Sequence, residues 1–434
     1  MEISNWHTQL YIDNFSVNIY SGLPNKFLLR LFPKNTILSK EKTRFDTLQL
    51  GHIEEKEEYL NLISLAGFEI SKDELIQRLE ILGYTLNKAE LAFHESLDKI
   101  LRNECKNSFP DEKINQNYPD QEAFRTKREK IEFLNGVQFA DFLNAINEVI
   151  TNKHRRVIHF ENGMRKSIIP KSLDNPLIRH LVCNGFGVFP FNDSLLYLRC
   201  LLASIDKNCS VFYEFSEPVT TGMLEEYYDQ QYNPHEINTK YGLKTLILTE
   251  GVTDAEFIKA SLSKLYPHLT DLYYFLDFAL KDGSAQSLCQ IIKSLAASNI
   301  PNNIIALFDN DTTGIEYMNN LLQNGIEFPS NIRIRKLPDL KLGENYPVFL
   351  KEGIIAYENV NGKGCAIEMY LGKELLVVEG ELLPLSRKNN QLYFNNKHKK
   401  MIHKKFRDKL NSNFIAEEWL EMNQLLNVIF DEFK

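Results

Sequence analysis

From Leu243 to Lys336 the chain repeats one pattern, a short and almost wholly apolar run followed by a longer amphipathic stretch. The runs fall at 244–250, 272–278, 303–309 and 331–336, with helical spacing over 254–266, 284–298 and 313–324. Pro301, Gly325 and Pro329 punctuate the joints. Strands covered on both faces read as continuous aliphatic and β-branched residues, because neither face meets water. Their alternation with helices calls for a parallel sheet joined by right-handed crossovers.

Two of these runs end in acids. The first closes Leu246-Ile247-Leu248-Thr249-Glu250-Gly251, with Asp254 one helical turn further on. The second closes Ile304-Ile305-Ala306-Leu307-Phe308-Asp309-Asn310-Asp311, with Gly314 at the start of the next helix. In open α/β sheets, ligands bind outside the carboxyl ends of the strands. Asp309 and Asp311 are two apart, so extended backbone sends their side chains one way and Asn310 another. Four carboxylates gathered there repel one another unless a cation neutralises them, and hard ions such as Mg²⁺ prefer oxygen ligands. An isolated Asp-x-Asp is usually a solvated turn or a helix cap. Two acidic strand ends within one strand–helix series favour metal-dependent phosphate chemistry instead, with Gly314 clearing room for a phosphate near a helix start.

Ahead of this region the pattern differs. Residues 8–20 alternate apolar and polar around Asp13-Asn14, a hairpin signature. Ser71 caps an expected helix that ends at Gly83, and Ala89–Leu101, Phe139–Ile150 and Ser194–Ile205 also carry helical spacing. Ser210–Phe215 reads as a strand. The polar segments 106–120 and 217–241 read as a linker and a domain junction. With 434 residues, two or three domains are expected. No apolar stretch reaches the roughly 18 residues that span a bilayer. The amino terminus lacks the basic start and apolar core of a secretion signal. Six scattered cysteines argue against a zinc ribbon or disulfide framework and suit a reduced cytoplasm. At net charge −8 the chain has no global attraction for nucleic acid, so contact must come from local basic patches.

Glu250-Gly251 with Asp254, followed by Asp309-Asn310-Asp311 and Gly314, resembles the Toprim domain of topoisomerases, primases and OLD-family nucleases. Ile367-Glu368-Met369-Tyr370-Leu371 resembles the additional acidic motif of nuclease-type Toprim domains. On residues alone Glu368 reads equally well as a helix-surface glutamate; the resemblance makes it a further metal ligand. Arg78–Thr85, Phe275–Phe278, Tyr346-Pro347 and Asn359–Gly362 extend the likeness to bacterial HEPN/Toprim-associated proteins over most of the chain. The resemblance implies an α/β Toprim domain, a parallel sheet flanked by helices, behind a mainly helical α+β HEPN-like region. It divides the chain into a hairpin plus helical region (1–115), a HEPN-like region (120–240), the Toprim domain (243–378) and a basic, amphipathic extension (379–434). Two departures stand out. Lys281-Asp282-Gly283-Ser284 replaces an expected double glycine, and only three residues separate Arg155 from His159, so the HEPN ribonuclease signature is missing.

The function so implied is hydrolysis of phosphodiesters in DNA or RNA with Mg²⁺ or Mn²⁺. Glu250, Asp309, Asp311 and Glu368 would bind metal, and Asp254 would assist as a ligand or by orienting water. Arg155 and Arg156, and Lys397, Lys399, Lys400 and Lys404, are the candidate phosphate contacts, although charge runs are usually solvated faces. The ten histidines read as structural, and Cys105 and Cys365 as packing residues. No Gly-x-x-x-x-Gly-Lys loop is present, so an ATPase would have to come from a partner. An anti-phage effector acting as a homo-oligomer in the cytoplasm, away from membranes, is the expectation. Its alternatives are a non-catalytic sensor or regulatory subunit in a toxin-like or defence complex, and a primase-type nucleotidyl transferase. The missing zinc segment weighs against the primase reading.

Overall fold

The computed structural model describes residues 9–13, 15–17, 31–33, 36–43, 62–106, 126–154, 157–161, 164–168, 175–184, 193–214, 244–276, 283–323, 327–350, 354–388 and 391–434. The segment 107–125, the polar junction 217–241, and Arg155, Arg156, Lys281 and Asp282 lie outside these residues. The chain divides into two compact units, Met1–Glu236 with Lys434, and Ile237–Phe433.

The first unit is built on a five-stranded antiparallel sheet. Its strands are β1 (Gln9–Ile12), β2 (Phe15–Val17), β3 (Ile37–Thr43), β4 (Leu62–Ser71) and β7 (Ser210–Glu214), in the order β2-β1-β7-β4-β3. A separate hairpin pairs β5 (Val157–Glu161) with β6 (Met164–Ile168). The expected turn at Asp13 joins β1 to β2, with Ile12 opposite Phe15 and Asp13 at a φ of 48°. Helices α1 (Lys72–Ile81), α2 (Leu86–Lys106), α3 (Lys127–Gly136), α4 (Phe139–Thr151), α5 (Pro176–Asn184) and α6 (Ser194–Ala203) complete it. Ser71 caps α1 through a capping box with Glu74, and Gly83 beyond its end takes φ 88°. Strands β3 and β4 correct the reading of the stretch after the first hairpin as helical. Much of their pairing is with each other and with β7, which lies about 140 residues later and is invisible to a local window.

The second unit carries the alternating series. Strands β8 (Thr245–Thr249), β9 (Tyr273–Phe275), β10 (Ile304–Phe308) and β12 (Ile332–Lys336) form an all-parallel sheet in the order β12-β10-β8-β9. Between them run α7 (Val252–Leu265), α8 (Ala285–Ala297), the two-residue strand β11 (Asn310–Asp311) and α9 (Thr312–Gln323). Alternate strand residues face opposite ways. Leu248, Ile304, Ala306 and Phe308 pack with Leu288, Ile292 and Leu321 of α8 and α9. Ile247, Ile305 and Leu307, pointing the other way, are also buried. Both faces are therefore covered, which is why the strands read as continuous apolar runs.

Strand order has a direct consequence for the site. The chain leaves β8 toward β9 on one side and returns past it to β10 and β12 on the other. Neighbouring strands β8 and β10 thus send their following helices in opposite directions, leaving a crevice at their carboxyl ends. Beyond β12 come the hairpin β13 (Tyr346–Phe349) with β14 (Ile355–Glu358), then β15 (Gly364–Cys365), and the hairpin β16 (Val377–Val378) with β17 (Glu381–Leu382). The hairpin β18 (Ser386–Lys388) with β19 (Gln391–Tyr393) follows, and helices α10 (Asn396–Leu410) and α11 (Leu420–Asp431) close the unit by packing on α7. Residues 379–433 therefore belong to the same compact unit as the sheet.

Candidate functional site

Glu250 follows β8 and Asp309 follows β10, at the two strand ends that border the crevice. The Asp309 amide donates to Glu250 Oε1 at 2.8 Å, which fastens the acid of one strand end to the backbone of the other. Asp254 is the third residue of α7, and its Oδ2 accepts from the Gly251 amide at 2.9 Å. One oxygen of Asp254 therefore caps the start of α7. Asp311 Oδ1 accepts from the Gly314 amide at 2.7 Å.

Asn310 points away from its neighbours, as its position between two acids requires. It is fully buried, donates to Asp339 Oδ1 at 2.9 Å and accepts from the Gly362 amide at 3.0 Å. These bonds lock the loop that presents Asp309 and Asp311. The pairing of β11 with β15, Asn310 opposite Cys365 and Asp311 opposite Gly364, then leads the chain to Glu368.

Glu368 departs from the surface-helix reading. It sits in the one-turn 3-10 helix Ile367–Tyr370, all four residues of which are buried, and is 2% exposed. Its Oε1 receives His403 Nε2 at 3.0 Å and Lys399 Nζ at 3.2 Å, both from α10. Its Oε2 is buried without a hydrogen-bond partner. The His403 ring also meets Phe257 edge to face, 4.8 Å between centroids. His403, expected to be structural, thus contacts the Glu368 carboxylate; its spacing four residues after Lys399 on a helix was the available signal.

The electrostatics tie the five acids together. Burial lifts the Glu250 carboxyl to about 7, despite the Asp309 amide that favours its charged form, and the Asp311 and Asp254 charges add to the lift. Burial and then the Glu368 charge lift Asp254 to about 7 as well. Asp309 is held well above the usual carboxylate range by burial and by the charges of Asp254, Glu250, Asp311 and Glu368. Burial pushes Glu368 upward too, but the His403 hydrogen bond and the Lys399 charge outweigh it and hold the carboxyl below its ordinary value.

Two glycines are sterically required here. A Cβ on Gly314 would lie 2.5 Å from the Asp309 carbonyl oxygen and 2.7 Å from Glu250 Oε1. The reason for this glycine is thus the close approach of α9 to both acids. A Cβ on Gly283 would strike the Glu250 carbonyl, so a single glycine supplies the approach expected of two.

The basic helix α10 has two sides. Lys399 and His403 turn to Glu368, whereas Lys397, Lys400 and Lys404 share an exposed face and make no ion pair among the described residues. Burial pushes the Cys365 thiol up to about 12, and the side chain is fully buried opposite Asn310 in the strand register, a packing residue as expected.

The five acids offer only oxygen donors, the kind a hard cation prefers, and Glu368 Oε2 is a buried oxygen without a hydrogen-bond partner. Among the described residues no group of three or more His, Cys, Asp or Glu side chains is arranged to hold a metal ion. Glu250, Asp254 and Asp311 each accept a backbone amide through one oxygen, and Gln391 Nε2 lies 3.5 Å from the second oxygen of Asp311. No described helix is long and apolar enough to cross a membrane.

A family model described as HEPN/Toprim N-terminal domain 1 matches residues 6–244, more than half of the chain and ending before Glu250. No curated protein and no solved structure matches the chain.

Proposed function

The chain belongs to the HEPN/Toprim N-terminal domain 1 family, and from that membership we propose that its second unit is a Toprim-type nuclease hydrolysing phosphodiesters in DNA or RNA. The observation that carries this reading is the gathering of Glu250, Asp254, Asp309, Asp311 and Glu368 at the switch point between β8 and β10, where each raises or feels the charge of another. Burial and mutual charge raise the Glu250, Asp254 and Asp309 carboxyls above their ordinary values, and a cation between them would favour their charged forms.

Glu250, Asp309, Asp311 and Glu368 would hold Mg²⁺ or Mn²⁺, with Asp254 beside them. Such an ion supplies charge neutralisation at phosphate oxygens and lowers the pKa of water. The chain's own residues prepare the ground. The Asp309 amide orients Glu250, the Gly314 amide orients Asp311, and His403 with Lys399 fix Glu368 through one oxygen and leave the other free. Asp254 Oδ1 remains available to hold a water proton. The exposed Lys397, Lys400 and Lys404 offer phosphate contacts on the outer face of α10. An anti-phage role belongs to the same proposal through the motif resemblance, and no residue of the chain carries it.

The test incubates the full chain with plasmid, linear DNA and tRNA in Mg²⁺, Mn²⁺ or EDTA. Cleavage in metal that disappears in EDTA and in a folded Asp309→Asn variant is expected. Equal cutting by the variant removes the nuclease reading of this site. A wild type that cuts nothing, yet is stabilised by metal, favours the non-catalytic sensor.

A further inference from the structure

The β18–β19 hairpin leans over the carboxylates from outside the sheet. Gln391 Nε2 donates to Thr313 Oγ1 at 3.2 Å and reaches Asp311 Oδ2 at 3.5 Å. Directly opposed residues of an antiparallel pair share a face. The register sets Lys388 opposite Gln391 and Ser386 opposite Tyr393. Gln391 and Tyr393 are two apart on one strand, so they also share a face. Hence Gln391, Lys388, Tyr393 and Ser386 lie on the side that touches Asp311. The other side is spent on the fold: Leu392 is 2% exposed and closes over Gly364, while Arg387 pairs with Glu358.

The Asp311 side has free groups. Tyr393 is 38% exposed, and its side chain has no partner among the described residues. Lys388 is exposed and has no ion pair there. An exposed aromatic ring and an uncommitted ammonium on one small face, continuous with metal-type carboxylates, match the two halves of an unpaired nucleotide. The ring can stack on a base and the ammonium can meet a phosphate. A base inside a duplex keeps its faces covered by its neighbours, so the match is to a single strand.

We propose that the β18–β19 hairpin seats a single nucleic-acid strand beside the carboxylates, with Tyr393 stacking on a base, Lys388 contacting a phosphate and Gln391 fixing the hairpin against Asp311. The proposal rests on the nuclease reading for its meaning, but binding is measured separately from cleavage. Lys388 and Tyr393 come from a hairpin that carries no motif, so nothing local in the sequence marks them.

The test measures fluorescence anisotropy of labelled single-stranded oligodeoxynucleotide and oligoribonucleotide of one sequence, with the duplex as a third arm, all in EDTA. Wild type is expected to prefer single strands to duplex. Tyr393→Ala should weaken binding by about tenfold or more, and Tyr393→Trp should restore it. Lys388→Gln should lower the slope of log affinity against log salt by about one. Circular dichroism checks that the variants are folded, as exposed positions allow. Single-strand affinity unchanged in both Tyr393→Ala and Lys388→Gln overturns the proposal, as does a wild type that binds only duplex or no nucleic acid. Asp309→Asn separates the two readings, since it should lose cleavage whether or not the hairpin binds a strand. Cleavage that depends on Asp309 alongside unaffected hairpin variants sinks the hairpin alone.

Discussion

Asp309 is the residue on which the other four acids act, and its environment has a measurable consequence for stability. Glu250 and Asp254, lifted to about 7, and Asp309, also held well above its ordinary value, keep protons in the folded protein to a higher pH than in the unfolded chain. Groups whose folded pKa is raised stabilise most at low pH, and that contribution is lost as pH rises through the folded value. The metal-free protein should therefore show an unfolding temperature that falls as pH rises from about 4 to about 7. Asp309→Asn should flatten the fall by removing the central charge, and Mg²⁺ should stabilise wild type most at the upper end. A variant that falls as steeply as wild type in scanning calorimetry would show that these acids are not coupled. Gly314→Ala makes a steric counterpart. Its methyl meets backbone of Asp309 and the Glu250 carboxylate, neither of which can swing away freely. A loss of about 1–3 kcal/mol in urea unfolding is expected, with impaired metal binding.

Helix α10 does at the element scale what no single residue does. It points Lys399 and His403 at Glu368 along one face and sends Lys397, Lys400 and Lys404 to solvent along another. Its start is fixed by Asn395, whose side chain accepts from the His398 amide at 2.9 Å. Asn395→Ala is expected to cost about 1 kcal/mol by urea denaturation, since one helix-end donor loses its acceptor. No measurable loss would mean that tertiary packing alone holds this end. Elements whose burial is uniform were legible beforehand. Strands β8 and β10 are covered on both faces and so read as apolar runs, and α1 announced itself through Ser71 and Glu74. The pair β3–β4 was not legible, because part of what stabilises it is pairing with β7 far along the chain. The basic run of α10 was visible as charge, but which lysine turned inward was not.

At the scale of the whole molecule, all five acids and both helices that back them lie within Ile237–Phe433. A fragment spanning 237–433 is expected to fold alone and to keep a Mg²⁺-dependent rise in unfolding temperature; an unfolded fragment, or one blind to metal, would show that the first unit is needed to complete the site. The family match covers the first unit and the carboxylates lie in the second, so the two halves of the functional reading have separate supports. What the sequence alone determined is the parallel α/β series and the acids at its strand ends, because burial on both faces and chemistry at strand ends leave a local periodic trace. What only the tertiary structure decided is the strand order that makes β8 and β10 neighbours. It also decided the burial of Glu368 under His403 and Lys399, and the approach of Gln391 to Asp311. Those contacts join residues tens of positions apart, and no local pattern encodes which of many polar side chains the packed chain will bring together.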